Sequence, residues 1–357
     1  MTFRVGRIVS ILCLAAVLFS AALLPACGYC ETLRFVFMAD SRGNADNDLI
    51  NTAVLNAINT KILALSPRPS FVVYGGDQAF RGRVNGIYNF EAFKTALKPL
   101  TDANIKLYTA LGNHELYEDI GGRFIFANQV EYQKAFKDNN PKNGPSSSYD
   151  HLVYSFESPG GDAFFAVLDP YYITADVEHA NITGTIEEAQ RNWLKTQVAA
   201  TKASHKFLFT HGPYYYVNTP ASPVDTSYTE LWKILDDHRF DIYFCGHSHL
   251  YSRKTIDSSI DPKPPLDLDP NLRWKNNVVQ VLNGTCGAPI EKVKLIVNRT
   301  FWHVYDADNT YYFSVVDING SIVTVTSYSG NTGDYNIVDS FTVPPSSTAV
   351  PNLLLTD

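Results

Sequence analysis

Asp241-Ile242-Tyr243-Phe244-Cys245-Gly246-His247-Ser248-His249 is the stretch that organises the chain. Its apolar run suits a buried strand, Gly246 lets the backbone turn sharply, and two histidines one residue apart follow at the strand's end. In open α/β sheets that end is where ligands are held. A lone His-x-His pair carries little weight, but an apolar strand running into a side chain of metal-binding type occurs four more times upstream.

Leu33 to Ala39 delivers Asp40, and Phe71-Val72-Val73-Tyr74 delivers Gly75-Gly76-Asp77. Ile105 to Leu111 leads into Gly112-Asn113-His114-Glu115, and Lys206 to Thr210 into His211-Gly212-Pro213. Between the first two strands Leu49, Ile50, Val54, Ile58, Ile62 and Leu65 recur at helical spacing, and Tyr88 to Leu100 predicts a second crossover helix. Strand, helix, strand requires parallel pairing with a right-handed crossover, so Asp40 and Asp77 are expected at one end of one sheet. Further helices are predicted over Glu187 to Ala200 and Tyr228 to Asp237, and an antiparallel pair over Val153 to Phe156 and Ala163 to Leu168. From Tyr117 to His151 the periodicity is lost, which suggests a rim or lid over the site. Ile256 to Arg273 reads as a surface loop. Beyond it Val278 to Leu282, Tyr311 to Val316, Ser321 to Thr326 and Ile337 to Val343 alternate as strands, with a turn at Asn319-Gly320. This C-terminal third is expected to be antiparallel β that closes a second sheet.

The chain has 357 residues, 45% hydrophobic and 18% charged, as in ordinary globular proteins. Residues 1–30 stand apart: Arg4 and Arg7 precede the apolar run Ile8 to Leu24, which ends at Pro25-Ala26-Cys27-Gly28. That is the layout of a secretory signal peptide, and the run is short for a membrane span. Ala26-x-Gly28 suits an ordinary signal peptidase, whereas Leu24-Pro25-Ala26-Cys27 is similar to a lipobox and would place a lipid on Cys27. Both readings, and an uncleaved anchor helix as the third, put the remainder outside the cytoplasm: secreted or periplasmic, or tethered to a membrane only through a lipidated Cys27. The expected organisation is a signal over 1–30, one domain over 31–343 and a tail over 344–357.

Removing residues 1–30 takes away two arginines and no acids, so the formal net charge moves from −7 to −9. Such a surface argues against a nucleic-acid partner. Cys245 and Cys286 are the body's two cysteines; pairing after export and two buried thiols are both open. Asn181, Asn283 and Asn298 begin glycosylation sequons. The run Tyr214-Tyr215-Tyr216 suits either a stacking platform for an aromatic leaving group or packing on the rim.

Collected, the strand-end groups are Asp40, Asp77, Asn113, His114, His211, His247 and His249. Carboxylate and amide oxygens with imidazole nitrogens, and no thiolate, make a set suited to manganese, iron or zinc. There are more donors than one catalytic metal takes from protein, so two metals sharing a carboxylate is the natural reading. His151, His179, His205, His238 and His303 belong to no such block and read as structural.

In this order the blocks resemble those of the calcineurin-like metallophosphoesterases, which include the purple acid phosphatases, and the resemblance covers roughly the whole mature chain. It implies an α/β fold: a four-layer α/β/β/α sandwich of two mixed β-sheets, with the metal site at the C-terminal ends of the strands. It further implies two divalent or trivalent ions bridged by Asp77. Asp40 and His249 would complete one site, Asn113, His211 and His247 the other, with His114 as a non-ligand histidine near the leaving group. Gly246 to Arg253, Gln190-x-x-Trp193-Leu194 and His211-Gly212-Pro213-Tyr214 are similar to the acid phosphatase branch.

The implied activity is an exported phosphatase that hydrolyses small-molecule phosphomonoesters with a metal-activated hydroxide. A phosphodiesterase or nucleotidase on the same site is the alternative. Two departures stand out. The family's first block is usually Asp-x-His, and here the third residue is Arg42, which cannot ligate a metal. The expectation is a loaded but weaker first site, with Arg42 turned toward the phosphate pocket and joining His114 as a catalytic candidate. A degenerate, non-catalytic metal-binding protein is the third reading. Phe80 stands where purple phosphatases carry their coloured tyrosinate, so no purple colour is expected.

Overall fold

Alternate side chains of the strand Leu33–Met38 serve two different layers: Phe35 and Phe37 belong to one apolar cluster, Val36 and Met38 to another. A strand buried on both faces must lie inside a layered molecule, with a sheet on one side and helices on the other. The computed structural model describes residues 32–117, 123–175, 184–217, 226–259, 273–292, 303–305 and 310–343.

In chain order the elements are β1 (Leu33–Met38), β2 (Arg42–Ala45), β3 (Asp48–Ile50), α1 (Thr52–Leu63), β4 (Phe71–Tyr74), β5 (Arg83–Val84), β6 (Ile87–Tyr88), α2 (Phe90–Asp102), β7 (Lys106–Thr109), α3 (Asn113–Leu116) and α4 (Phe126–Ala135). They continue with β8 (Tyr154–Glu157), β9 (Ala163–Val167), α5 (Glu188–Ala200), β10 (His205–Phe209), α6 (Thr226–Asp237), β11 (Ile242–Cys245), β12 (Tyr251–Ile256), β13 (Val278–Asn283), β14 (His303–Tyr305), β15 (Tyr311–Asn319), β16 (Ile322–Gly330) and β17 (Asn336–Val343).

Two large sheets result. The first runs β17-β16-β15-β1-β4-β7, with β1, β4 and β7 parallel and β15 to β17 antiparallel. The second runs β14-β12-β13-β11-β10-β9-β8, with β9, β10, β11 and β13 parallel. Phenylalanines lock the sheets face to face. The Phe35 ring stacks on Phe71 at 5.1 Å and meets Phe165 and Phe207 edge-on, each at 5.4 Å. Such pairs contribute about 0.5–1.5 kcal/mol each beyond the area they bury.

On the outer face of the first sheet, Val36, Met38, Val72 and Tyr74 share a cluster with Val54, Ile58 and Ile62 of α1 and Phe93 and Leu97 of α2. Leu208 and Tyr243 of the second sheet do the same with Leu194 of α5 and Leu231, Trp232 and Leu235 of α6. The four-layer sandwich of two mixed sheets is thus the fold, and the C-terminal ends of β1, β4, β7, β10 and β11 carry the singled-out residues. Among the described residues no helix is long and apolar enough to cross a membrane.

The structure corrects several expectations. The C-terminal strands do not all close the second sheet: β12, β13 and β14 join it, whereas β15 to β17 extend the first through β1. Moreover, β13 pairs with β11 in parallel. Period-two alternation specifies the faces of a strand, not its partner. The segment after Tyr117 is more than a rim, because α4 packs Tyr132, and Phe136 behind it, into the core. The buried face of α4 also carries amides, which hides it from apolar periodicity. Asn128 Nδ2 donates to the carbonyls of Leu116 and Tyr117, and Gln129 pairs with the backbone of Ile173.

Cys245 and Cys286 are free, buried thiols. Asn283 is fully buried in β13, so folding removes it as a glycosylation acceptor. Asn181, Asn298, the signal-type segment 1–30, the stretch 260–272 and the tail 344–357 lie outside the described residues.

Candidate metal centre

Asp40 and Asp77 each follow closely on the end of a strand and lie in the left-handed backbone region, with φ of 61° and 53°. An aspartate tolerates that conformation better than a bulky residue, and it swings the side chain back over the end of the sheet. His247 is held likewise, at φ 72°. Gly246 is needed for close approach rather than for a left-handed turn: a Cβ there would stand 2.3 Å from Asp40 Oδ2. At Gly112 a Cβ would stand 2.4 Å from both the amide nitrogen and Oδ1 of Asp77. Two strand ends are therefore drawn against carboxylates only because these side chains are missing.

Four polar atoms follow one another in close contact. Asp77 Oδ1 lies 3.2 Å from His211 Nε2, His211 Nε2 lies 3.3 Å from His247 Nδ1, and His247 Nδ1 lies 3.0 Å from Asn113 Oδ1. Outward hydrogen bonds set which atoms face in. His211 Nδ1 meets the carbonyl of Gly75 at 2.8 Å, so its proton is assigned there and the Nε2 lone pair points inward. Asn113 Nδ2 donates to Tyr117 Oη at 3.2 Å, which turns its amide oxygen inward. Burial pushes His211 toward a low pKa, but the carboxylates of Asp77 and Asp40 outweigh it and raise it to about 9. That is the affinity for positive charge which a cation would meet at this point. His247, pushed down to about 3 by burial and by His211, faces in as neutral imidazole. This oxygen and nitrogen set fits a cation such as manganese, iron or zinc, which would take the place of the proton on His211 Nε2.

A second group lies alongside. One donor atom each from Asp40, Asp77 and His249 falls within 4.8 Å of the others. His249 Nδ1 meets the carbonyl of Pro289 at 2.8 Å and again leaves Nε2 inward. Here, however, Arg42 is turned in among the donors. Its Nη2 is 3.4 Å from His249 Nε2 and its Nε 3.6 Å from Asp77 Oδ2. Asp77 is pulled both ways, and the positive groups around it, led by His211 and His114 and joined by Arg42, outweigh its burial and hold it well below the ordinary carboxylate range. Asp40, also buried, is pushed up.

His114 stands beside both groups. Its Nδ1 meets the carbonyl of Phe80 at 2.6 Å, and its Nε2 faces Asp77 Oδ2 at 3.9 Å. All seven strand-end residues and Arg42 are thus brought to one place.

The local support was less visible in the sequence. Glu115 and Asp169 lie buried near the histidines and orient none of them. Glu115 accepts from the amides of Asp77 (2.8 Å), Gln78 (2.7 Å) and Gly112 (2.7 Å), tying two strand ends together. Asp169 accepts from the amide of Tyr171. His114, His211 and His249 are oriented by backbone carbonyls, which no motif records. Tyr171, whose Oη lies 3.4 Å from His247 Nδ1, was missed entirely. Of the tyrosine run, Tyr214 and Tyr215 are core residues, Tyr214 stacking on Trp232 at 4.8 Å, and only Tyr216 reaches the site, edge-on to His247 at 5.7 Å.

Two sheets thus bring oxygen and nitrogen donors of metal-binding type together at their C-terminal strand ends. The chain belongs to the calcineurin-like phosphoesterase family, whose model matches residues 33–251. It is 24% identical over 212 residues to a sphingomyelinase phosphodiesterase D of Dictyostelium discoideum, covering 56% of this chain and 47% of that protein. The chain thus spans about half the length of this curated relative. Among solved structures it is similar to the purple acid phosphatase PPD1 from yellow lupin seeds, with a TM-score of 0.58 at 17% identity over 88% of this chain and 54% of that one. A dimetal phosphatase from Danio rerio gives a TM-score of 0.55 at 14% identity over 88% of this chain and 99% of that one.

Proposed function

We propose that the chain is an exported, metal-dependent hydrolase of small-molecule phosphomonoesters. The observation that carries it is Asp77 lying between two donor groups while His114 presents Nε2 beside both. Cations held there would neutralise phosphoryl oxygens and supply hydroxide from water near neutral pH. The chain's own residues do the rest. Asp77, locked by Glu115 through its amide, keeps the two groups in register. His114, held through Nδ1 by the Phe80 carbonyl, keeps Nε2 toward the pocket, where a second proton taken up by the ring could be handed to the departing oxygen. Tyr171 and Tyr216 wall the side next to His247.

Asp77 serves both groups, the position that the shared carboxylate of a dinuclear centre takes, and iron, manganese or zinc are candidates for the metal. The basic-then-apolar layout of residues 1–30 supports export, by signal cleavage or with a lipid on Cys27, and residues 31–343 would form the catalytic domain. The acidic net charge supports a small-molecule substrate rather than nucleic acid.

A second reading, phosphodiester hydrolysis, is favoured by the printed activity of the Dictyostelium relative. Purified protein assayed on para-nitrophenyl phosphate and on its bis-aryl diester should show the higher kcat/KM for the monoester. The reverse order would support the diester reading.

A further inference from the structure

Arg42 is placed as a ligand would be, yet it can only donate. The imidazole of His249 has one nitrogen engaged with the Pro289 carbonyl, so Nε2 is its only inward face, and Arg42 Nη2 addresses that face at 3.4 Å. Nε of the same guanidinium approaches Asp77 Oδ2 at 3.6 Å without a hydrogen bond, and Nη1 donates to the carbonyl of Gly43 at 3.2 Å. The backbone leaves it little freedom: the Arg42 amide donates to the carbonyl of Asp77 at 3.2 Å, and Arg42 pairs with Ile50 in the hairpin of β2 and β3. The Phe80 ring, 5.9 Å from the guanidinium carbon, covers another side. No arginine or lysine contacts the inward atoms of Asn113, His211 and His247 among the described residues. The Asp40, Asp77 and His249 group is therefore the one that already contains a fixed cation.

Resting on the metal-dependent reading above, we propose that the Arg42 guanidinium takes the place of the cation in the Asp40, Asp77 and His249 group. The chain then holds one metal ion, among Asp77, Asn113, His211 and His247. An ion on His249 would have to displace the guanidinium from its acceptor and then face its like charge at close range.

The test is a metal count on the full chain, purified without chelator, saturated with manganese and desalted, with low-temperature electron paramagnetic resonance on the same sample. About one ion per chain with the hyperfine pattern of an isolated manganese is expected for the wild type. Arg42→His should take a second ion and show the signal of a spin-coupled pair. Arg42→Gln, which removes the charge and serves should the histidine variant fail to fold, should admit the second ion more weakly. Two coupled ions in the wild type would overturn the proposal and leave the phosphoesterase reading standing. No ion in the wild type would overturn both, and a single ion in variants that fold would overturn the role given to the guanidinium.

Discussion

Asp77→Asn is expected to abolish phosphoester turnover and to strip metal from the protein while leaving the fold intact. Asparagine tolerates the left-handed backbone nearly as well as aspartate, so the φ of 53° poses no new strain. Its amide also keeps an oxygen for the His114 amide, which Asp77 Oδ1 now accepts at 3.1 Å. What is lost is the negative charge faced by His211, Arg42 and His114. Loss of an outer partner of a metal ligand costs roughly 10- to 100-fold, and a carboxylate placed between both donor groups should cost more. Metal analysis, circular dichroism and initial rates on one preparation check this. A variant with full activity would remove Asp77 from the centre of the mechanism.

His114→Ala is expected to separate rate from metal. Nε2 of His114 is 3.9 Å from Asp77 Oδ2, too far for a hydrogen bond, and its ring is held from outside by the Phe80 carbonyl and by an edge-on contact with Tyr117 at 4.8 Å. Its removal takes no inward donor from either group, so the metal content should match the wild type. A proton donor to a leaving group contributes roughly 10²–10⁴ in rate, and kcat should fall by that order. The loss should be smaller for an aryl ester, whose phenolate departs with little protonation, than for an alkyl ester. Equal losses on both, or loss of metal along with activity, would assign His114 a structural role.

What the sequence shows is what is local. Each strand-end block is legible because the apolar run and the polar group it delivers are adjacent in the chain, and strand-helix-strand order places Asp40 and Asp77 at one end of one sheet. Partnership between distant strands is not local, which is why β15 to β17 were expected beside the wrong sheet. Asn128 Nδ2 and the Gln129 amide find backbone partners in the interior, so buried positions of α4 are polar and it shows no apolar stripe. Gly246 can be read as a turn, but its closeness to Asp40 is visible only in three dimensions. Arg42 shows the limit most sharply. Its identity shows that a histidine donor is missing, whereas the inward direction of its side chain depends on the hairpin of β2 and β3 and on Phe80.

Phosphoester hydrolysis that depends on metal held by this donor set is the central claim, and reconstitution tests it most directly. Protein stripped with a chelator and dialysed should be inactive on para-nitrophenyl phosphate and on its bis-aryl diester, and should regain turnover of at least one of them when manganese, zinc or iron is returned. Turnover that survives complete removal of metal, or that never appears with any of the three, would contradict it.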